Sequence, residues 1–233
     1  MRGKVRNGLL AAMAVGMAMM MTSCGSTAAP TGDALYRDGE QRYIAYATTM
    51  HSVIMAIDET EWSVDQGSFG ASPIPCRIDG ELTGYAFSWA RMLELGDREV
   101  GDIVAAATAA FEKAGMEAET ATYGEDDSQE INVIGTGGDV GRGVVTIRPA
   151  QNHIRVSTTP GCFPGDAAAL SDMVFGGTVY KGASQRFPAF EGADWQPRFY
   201  FPEEGSPVYF DEDGMPIDPP PAATDLPKAP YGQ

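Results

Sequence analysis

Beyond its first thirty residues this chain has only two cysteines, Cys76 and Cys162, and they stand 86 residues apart. A bond between them would bring two distant points of the folded chain to within about 7 Å at Cα. Whether they bond depends on the compartment. The amino terminus bears on that. Arg2, Lys4 and Arg6 are followed by an apolar run from Leu9 to Met21. Thirteen residues are too few for an ordinary membrane span and suit the apolar region of a signal peptide. An isolated cysteine pair outside the cytoplasm reads as one disulfide, worth about 4–5 kcal/mol on the chain-entropy argument. The alternative is two free thiols, one acting as a nucleophile. The chain has only His51 and His153 as imidazole bases, and neither cysteine sits in a Cys-His motif.

The leader ends at Met21-Thr22-Ser23-Cys24. Small residues before a cysteine, directly after an apolar run, resemble the lipobox of bacterial lipoproteins. The resemblance implies that residues 1–23 are a signal peptide. Cys24 would carry a diacylglycerol on its sulfur and hold the chain to the membrane. Met21 departs from the usual Leu; the competing reading is a plain secretory signal with an incidental cysteine. Residues 24–32 then form a tether spanning about 27 Å at most beyond Cys24. The whole chain carries 16 basic and 32 acidic side chains, a formal charge of −16. Removing the leader takes three cations and no anions. Such an acidic surface repels phosphate backbones, so nucleic acid is excluded as a partner. It is also repelled by an anionic leaflet, which leaves attachment to the acyl chains.

Residues 33–164 read as an α+β domain. Asp33 is a fair N-cap for a helix reaching about Trp62, in which Tyr43, Ala47, Met50, Ile54 and Ile57 form one apolar stripe. Gly67 to Pro73 reads as a loop. Tyr85, Phe87 and Trp89 alternate with small residues, as in a strand with one bulky face, ended by Gly96-Asp97. Asp97 can cap a second helix whose Val100, Ile103, Val104, Ala107, Phe111 and Ala114 share a face, with Gly115 as its stop. Strands follow at Glu117–Tyr123, around Ile131 and Val133, at Val144–Arg148 and at Ile154–Thr158. A Cys76–Cys162 bond would make the first and last strands antiparallel neighbours. The predicted architecture is an antiparallel four-stranded sheet with two helices packed on one face.

Residues 165–233 change character. Ten of the 16 prolines lie from Pro188 onward, which argues against helices and central strands there. Nine aromatic residues nevertheless fall between Phe187 and Tyr231, too many for an ordinary disordered tail. An irregular extension that lies across the domain or engages a partner is expected, with Trp195, Phe199 and Tyr200 as partner-binding candidates.

A cysteine-led aromatic strand comes first, then the helix Asp102-Ile103-Val104-Ala105-Ala106-Ala107 to Gly115. The acidic Glu125-Asp126-Asp127 and Thr159-Pro160-Gly161-Cys162 complete the set. With the lipobox, these features resemble the LppA-like small lipoproteins of actinobacteria. The resemblance covers roughly Cys24 to Cys162. It implies a membrane-anchored extracytoplasmic domain with a linking disulfide and hands on no catalytic residue.

Motifs for chemistry are few. Gly135 to Gly143 is glycine-rich but lacks the Lys-Ser/Thr and following helix of a phosphate loop, so it reads as a hairpin. Glu125-Asp126-Asp127 and Asp211-Glu212-Asp213-Gly214 lack calcium-loop spacing and read as solvated turns. The chain contains no Gly-x-Ser-x-Gly, no His-Glu-x-x-His and no zinc spacing. Ser157 and His153 are same-face strand neighbours only. No metal, cofactor or catalytic residue is assigned. Two functions compete: a lipid-tethered binding module of the cell envelope, whose partner would be an envelope protein, and an envelope hydrolase using acidic residues.

Overall fold

A computed structural model describes residues 28–175 and 189–195 of the chain. It is α+β, with antiparallel sheets and three helices. Helix α1 (Gly32–Ile57) lies alongside α2 (Val100–Lys113), and α3 (Ala167–Phe175) packs near the start of α1. Strands β1 (Trp62–Phe69), β2 (Ile74–Ile78), β3 (Glu81–Ala86) and β4 (Trp89–Glu94) lie between α1 and α2. After α2 come β5 (Glu117–Tyr123), β6 (Glu130–Gly137), β7 (Gly141–Arg148) and β8 (His153–Thr158), then the two-residue strands β9 (Phe163–Pro164) and β10 (Phe190–Glu191). Among the described residues the large sheet has the order β10-β1-β4-β8-β7-β6-β5, and a small sheet has the order β2-β3-β9. The expected four-stranded sheet is therefore corrected to one of seven strands beside one of three.

Both long helices cover the same face of the large sheet. Cross-strand registers define its helix-facing rows. One runs Trp89, Thr158, Gly143, Gly135, and the next runs Arg91, Val156, Val145, Val133. Gly135 and Gly143 are partners in the ladder, and the Phe111 ring of α2 rests on both. A Cβ at Gly135 would stand 2.4 Å from Phe111 Cδ1, and one at Gly143 would stand 2.9 Å from Phe111 Cε1 and 3.2 Å from Met50 Sδ of α1. The glycine-rich run thus forms a hairpin whose strand glycines make room for the helices.

Helix α2 ends as the sequence predicts. Met116 N–H donates to Phe111 C=O at 3.0 Å and Gly115 N–H to Glu112 C=O at 2.9 Å, with Gly115 at φ +75°. Those are the paired hydrogen bonds of a Schellman stop, which needs a residue comfortable at positive φ. Helix α1 stops at Ile57, short of the predicted Trp62. Trp62 instead opens β1, fully buried, and its indole N–H donates to the Asp58 carbonyl at 3.0 Å. Gly39, which weakens the helix by propensity alone, admits α3: a Cβ there would lie 2.8 Å from Leu170 Cδ2.

The predicted single strand through Tyr85, Phe87 and Trp89 is two strands in two sheets. The chain leaves β3 at Ala86, turns through Phe87-Ser88, and enters β4 at Trp89. All three rings remain fully buried, so the alternation marks the core correctly. Strand β4 does pair antiparallel with β8, as expected for the first and last strands. The disulfide belongs to the small sheet. Cys76 and Cys162 are bonded, with Cα atoms 5.8 Å apart. Cys76 faces Gly84 of β3 in the ladder, and a Cβ on Gly84 would stand 2.4 Å from Cys162 Sγ and 3.0 Å from Cys76 Sγ. The bond lies over a strand that has no side chain at that point. Residues beyond 164, read from sequence as irregular extension, contribute α3 and β10 to the described fold, with Leu170 and Val174 in the core.

Asp58 fixes the far end of α1. Arg98 Nε donates to its Oδ2 at 2.6 Å, and Thr60 donates to Oδ1 through both its N–H and its hydroxyl. The Arg98 bond, foremost, holds this carboxyl down at about 2, below the usual aspartate value. Its stabilising effect is present above the unfolded value near 4 and is lost as pH falls toward 2. Asp58→Asn should therefore destabilise the chain at pH 6 and cost clearly less at pH 2, where the carboxyl is about half protonated, read by urea unfolding at both pH values. A penalty of the same size at both would refute the ion-pair account. Gly84→Ala should destabilise by about 1–3 kcal/mol through overpacking. In a Cys76→Ala/Cys162→Ala background, where both sulfurs are gone, most of that penalty should vanish.

Candidate functional site

Three stretches far apart in sequence meet around a cleft of about 420 Å³. The second and third turns of α1 bring Asp38, Gln41 and Arg42. The turn between β6 and β7 brings Asp139 and the backbone of Gly138 and Gly141. Gly161 and Phe163 come from the stretch on either side of Cys162. Clefts of a few hundred cubic ångströms with a few fixed polar groups suit small ligands.

The polar wall of the cleft is held from behind. Arg42 Nε donates to Asp38 Oδ2 at 2.9 Å, as the i,i+4 spacing on α1 allows. The buried Tyr85 hydroxyl donates to the same oxygen at 2.6 Å. Burial, and then the neighbouring Asp38 carboxylate, push the Tyr85 phenol far above its ordinary value, so it stays a donor. The Arg42 guanidinium lies 3.9 Å above the Phe163 ring. It is thereby clamped between a carboxylate and an aromatic face, with 37% of its side chain exposed toward solvent. Asp139, exposed on the turn between β6 and β7, adds a second carboxylate to the lining. This arrangement can orient a ligand that offers an acceptor to Arg42 and a donor to Asp139.

A second groove, of about 450 Å³, runs between α1 and α2 past Thr48, Thr49, Ser52 and Lys113. Thr49 and Ser52 turn their hydroxyls back to carbonyls of their own helix, at 3.1 and 3.0 Å. It therefore presents little fixed polarity.

A buried ionic cluster lies elsewhere on the helix side of the sheet. Arg91 occupies a core row of β4 and is fully buried. Its Nε donates to Glu191 Oε2 at 2.5 Å, its Nη1 to Ala90 C=O at 2.9 Å and its Nη2 to Phe69 C=O at 3.1 Å. The guanidinium also sits 4.4 Å over the Trp89 ring. Glu191, equally buried, gives its other oxygen to His51 Nδ1 at 2.8 Å. Trp195 stacks on His51 with ring centroids 5.0 Å apart.

Sequence candidates fall as follows. Cys76 and Cys162 are bonded beside the cleft. Trp195 is 7% exposed and covers the ionic cluster, so its ring is committed to the domain instead of being offered outward. Cys24, Phe199, Tyr200 and Asp211 to Gly214 lie outside the described residues. Glu125 to Ser128 form a capped 3₁₀ turn, the exposed turn expected of that acidic run. Neither His51 nor His153 hydrogen-bonds a hydroxyl among the described residues. His153 faces away from the helices, and burial, then Arg148 and Arg155, lower its pKa. Among the described residues no group of three or more His, Cys, Asp or Glu could hold a metal, and no helix is long and apolar enough to cross a membrane.

Asp38, Arg42, Arg91 and Glu191 carry no individual mark in the sequence, and Tyr85 reads there only as a bulky strand residue. The position of Arg91 is a signal: it continues the inward alternation of Phe87 and Trp89. Comparison of the chain with protein-family models, with curated proteins and with solved structures finds no match.

Removing one partner of a buried ion pair strands the other, at a cost of about 3–5 kcal/mol. Arg91→Met and Glu191→Leu should each show a loss of that order in urea unfolding. The double variant should recover more than half of it. Additive losses would contradict the pairing.

Proposed function

We propose that this chain is a lipid-anchored binding module on the extracytoplasmic face of the cell membrane, with the cleft at Arg42 as its ligand site. The observation that carries the binding part is the Arg42 guanidinium, clamped by Asp38 and the Phe163 ring in a cleft that Asp139 also lines. Three observations support the anchored part: the charged and apolar leader, the small residues before Cys24, and a disulfide of the kind that persists in oxidising compartments. The resemblance to LppA-like lipoproteins points the same way. The hydrolase alternative would rest on acidic residues, and the carboxylate fixed at the cleft, Asp38, is already engaged by Arg42 and the Tyr85 hydroxyl.

Anchor and cleft are close in sequence. Asp38 follows Cys24 by 14 positions, and the intervening tether is short, so the site would work near the bilayer. Its ligand would be a small molecule carrying both an acceptor and a donor, taken from the envelope.

Two measurements test this. Labelling cells with palmitate should mark the wild-type chain and leave Cys24→Ala unmarked; equal labelling would sink the anchor. Native mass spectrometry of protein extracted from its own membrane should show a small bound molecule. Gln41→Trp, which fills the cleft from the exposed face of α1, should lose it. Identical spectra from the two proteins would remove the cleft from consideration.

A further inference from the structure

The strip Ala189–Trp195 follows α3 after 13 residues and is held as a bound peptide is held. Its backbone adds to β1: Glu191 pairs with Trp62, Phe190 pairs with Ser63, and Val64 N–H donates to Ala189 C=O at 2.8 Å. Side chains alternate as strand geometry requires. Glu191 points inward to a socket made by Arg91 and His51, while Phe190 points out and is 44% exposed. Trp195 then closes over His51. Main-chain bonds at a strand edge combined with one side chain in a specific pocket are the means by which proteins bind an extended peptide.

We infer that this socket is an exchangeable strand-binding site, and that its partner in trans is the 189–195 strip of a second copy of this chain. The socket's polar contacts come from α1, β1 and β4, so it is built without the strip. Arg91 is buried and needs a carboxylate, whichever copy supplies it. The strip of another copy fits because it is chemically identical. The 13 residues between α3 and the strip have a reach of up to about 45 Å, enough to cross to a neighbour. Mutual exchange gives a closed two-fold dimer and requires no new surface. Cis and trans occupancy use the same contacts, so concentration sets the balance between them.

The test uses two full-length variants in detergent. Arg91→Met loses the socket and keeps the strip. Glu191→Gln keeps the socket and impairs the strip. Each alone should run as a monomer in size exclusion with light scattering. Their mixture, in which one socket can take one intact strip, should form a 1:1 dimer at concentrations roughly tenfold lower than either variant alone. A mixture that stays monomeric while circular dichroism shows both variants folded would overturn the inference. Should either variant fail to fold, wild-type chain is warmed below its midpoint with a labelled peptide of residues 188–196 and cooled. Native mass spectrometry should then show one peptide per chain, and the peptide carrying Glu191→Gln should compete roughly tenfold more weakly. No incorporation, or equal competition by the two peptides, would overturn it.

Discussion

A guanidinium in the helix-facing row of the central sheet cannot stay there alone. Arg91 stands where its neighbours across the ladder are Val156 and Val145, and water does not reach it. The desolvation cost of such a cation is met only by a carboxylate of good geometry together with carbonyls that take its remaining donors. Glu191, Ala90 and Phe69 supply these. The carboxylate lies 100 positions further along the chain, so this one charge determines that a late segment returns to the sheet. His51 and Trp195 complete the enclosure, and α1 is thereby tied to the same segment.

The second constraint is close approach. Phe111 rests on Gly135 and Gly143, Leu170 on Gly39, and the disulfide on Gly84. At each point a helix or a covalent bond comes nearer to backbone than any side chain would permit. The cleft follows from the last of these. Its wall at Gly161 and Phe163 is pinned through Cys162 to β2, while α1 provides the opposing charges. Geometry that would otherwise depend on a loop is set by a covalent tie and a helix.

Much of the fold between Val100 and Thr158 was legible in the sequence. The stripe of α2, its Gly115 stop and the four-strand meander after it are local patterns of 5 to 14 residues with their own punctuation. The bonded cysteines were readable from compartment chemistry. The stretch from Trp62 to Ala86 was not. Trp62 lies five positions beyond Ile57, off the stripe, but residues 58–61 hold no glycine or proline to end a helix, so the helix reading ran on to a residue that opens a strand. Gly67, Pro73 and Pro75 disguise β1 and β2 as loop. Helix α3 is only nine residues long, and its one start signal is Asp166, whose Oδ1 accepts from the N–H groups of Ala168 and Ala169 ahead of an alanine-rich turn; between Gly165 and the proline-rich stretch that signal was easily passed over. The cleft was hidden for another reason: it joins Arg42, Asp139 and Phe163, which only tertiary packing brings together. Arg91 and Glu191 are the same case at longer range, although the inward position of Arg91 on its strand was visible.

The bonded loop from Cys76 to Cys162 encloses β3 to β8 and α2. A single proteolytic cut therefore has consequences that depend on which side of these sulfurs it falls. A break inside the loop leaves both pieces covalently joined, and the sheet can persist as a nicked whole. A break after Cys162 and before Ala189 severs the carrier of Glu191 and leaves it attached by non-covalent forces alone. A break ahead of α1 would part the whole body from whatever holds its amino terminus. The molecule thus has a protected middle and two detachable ends, and scission at either end yields a distinct, still largely folded product.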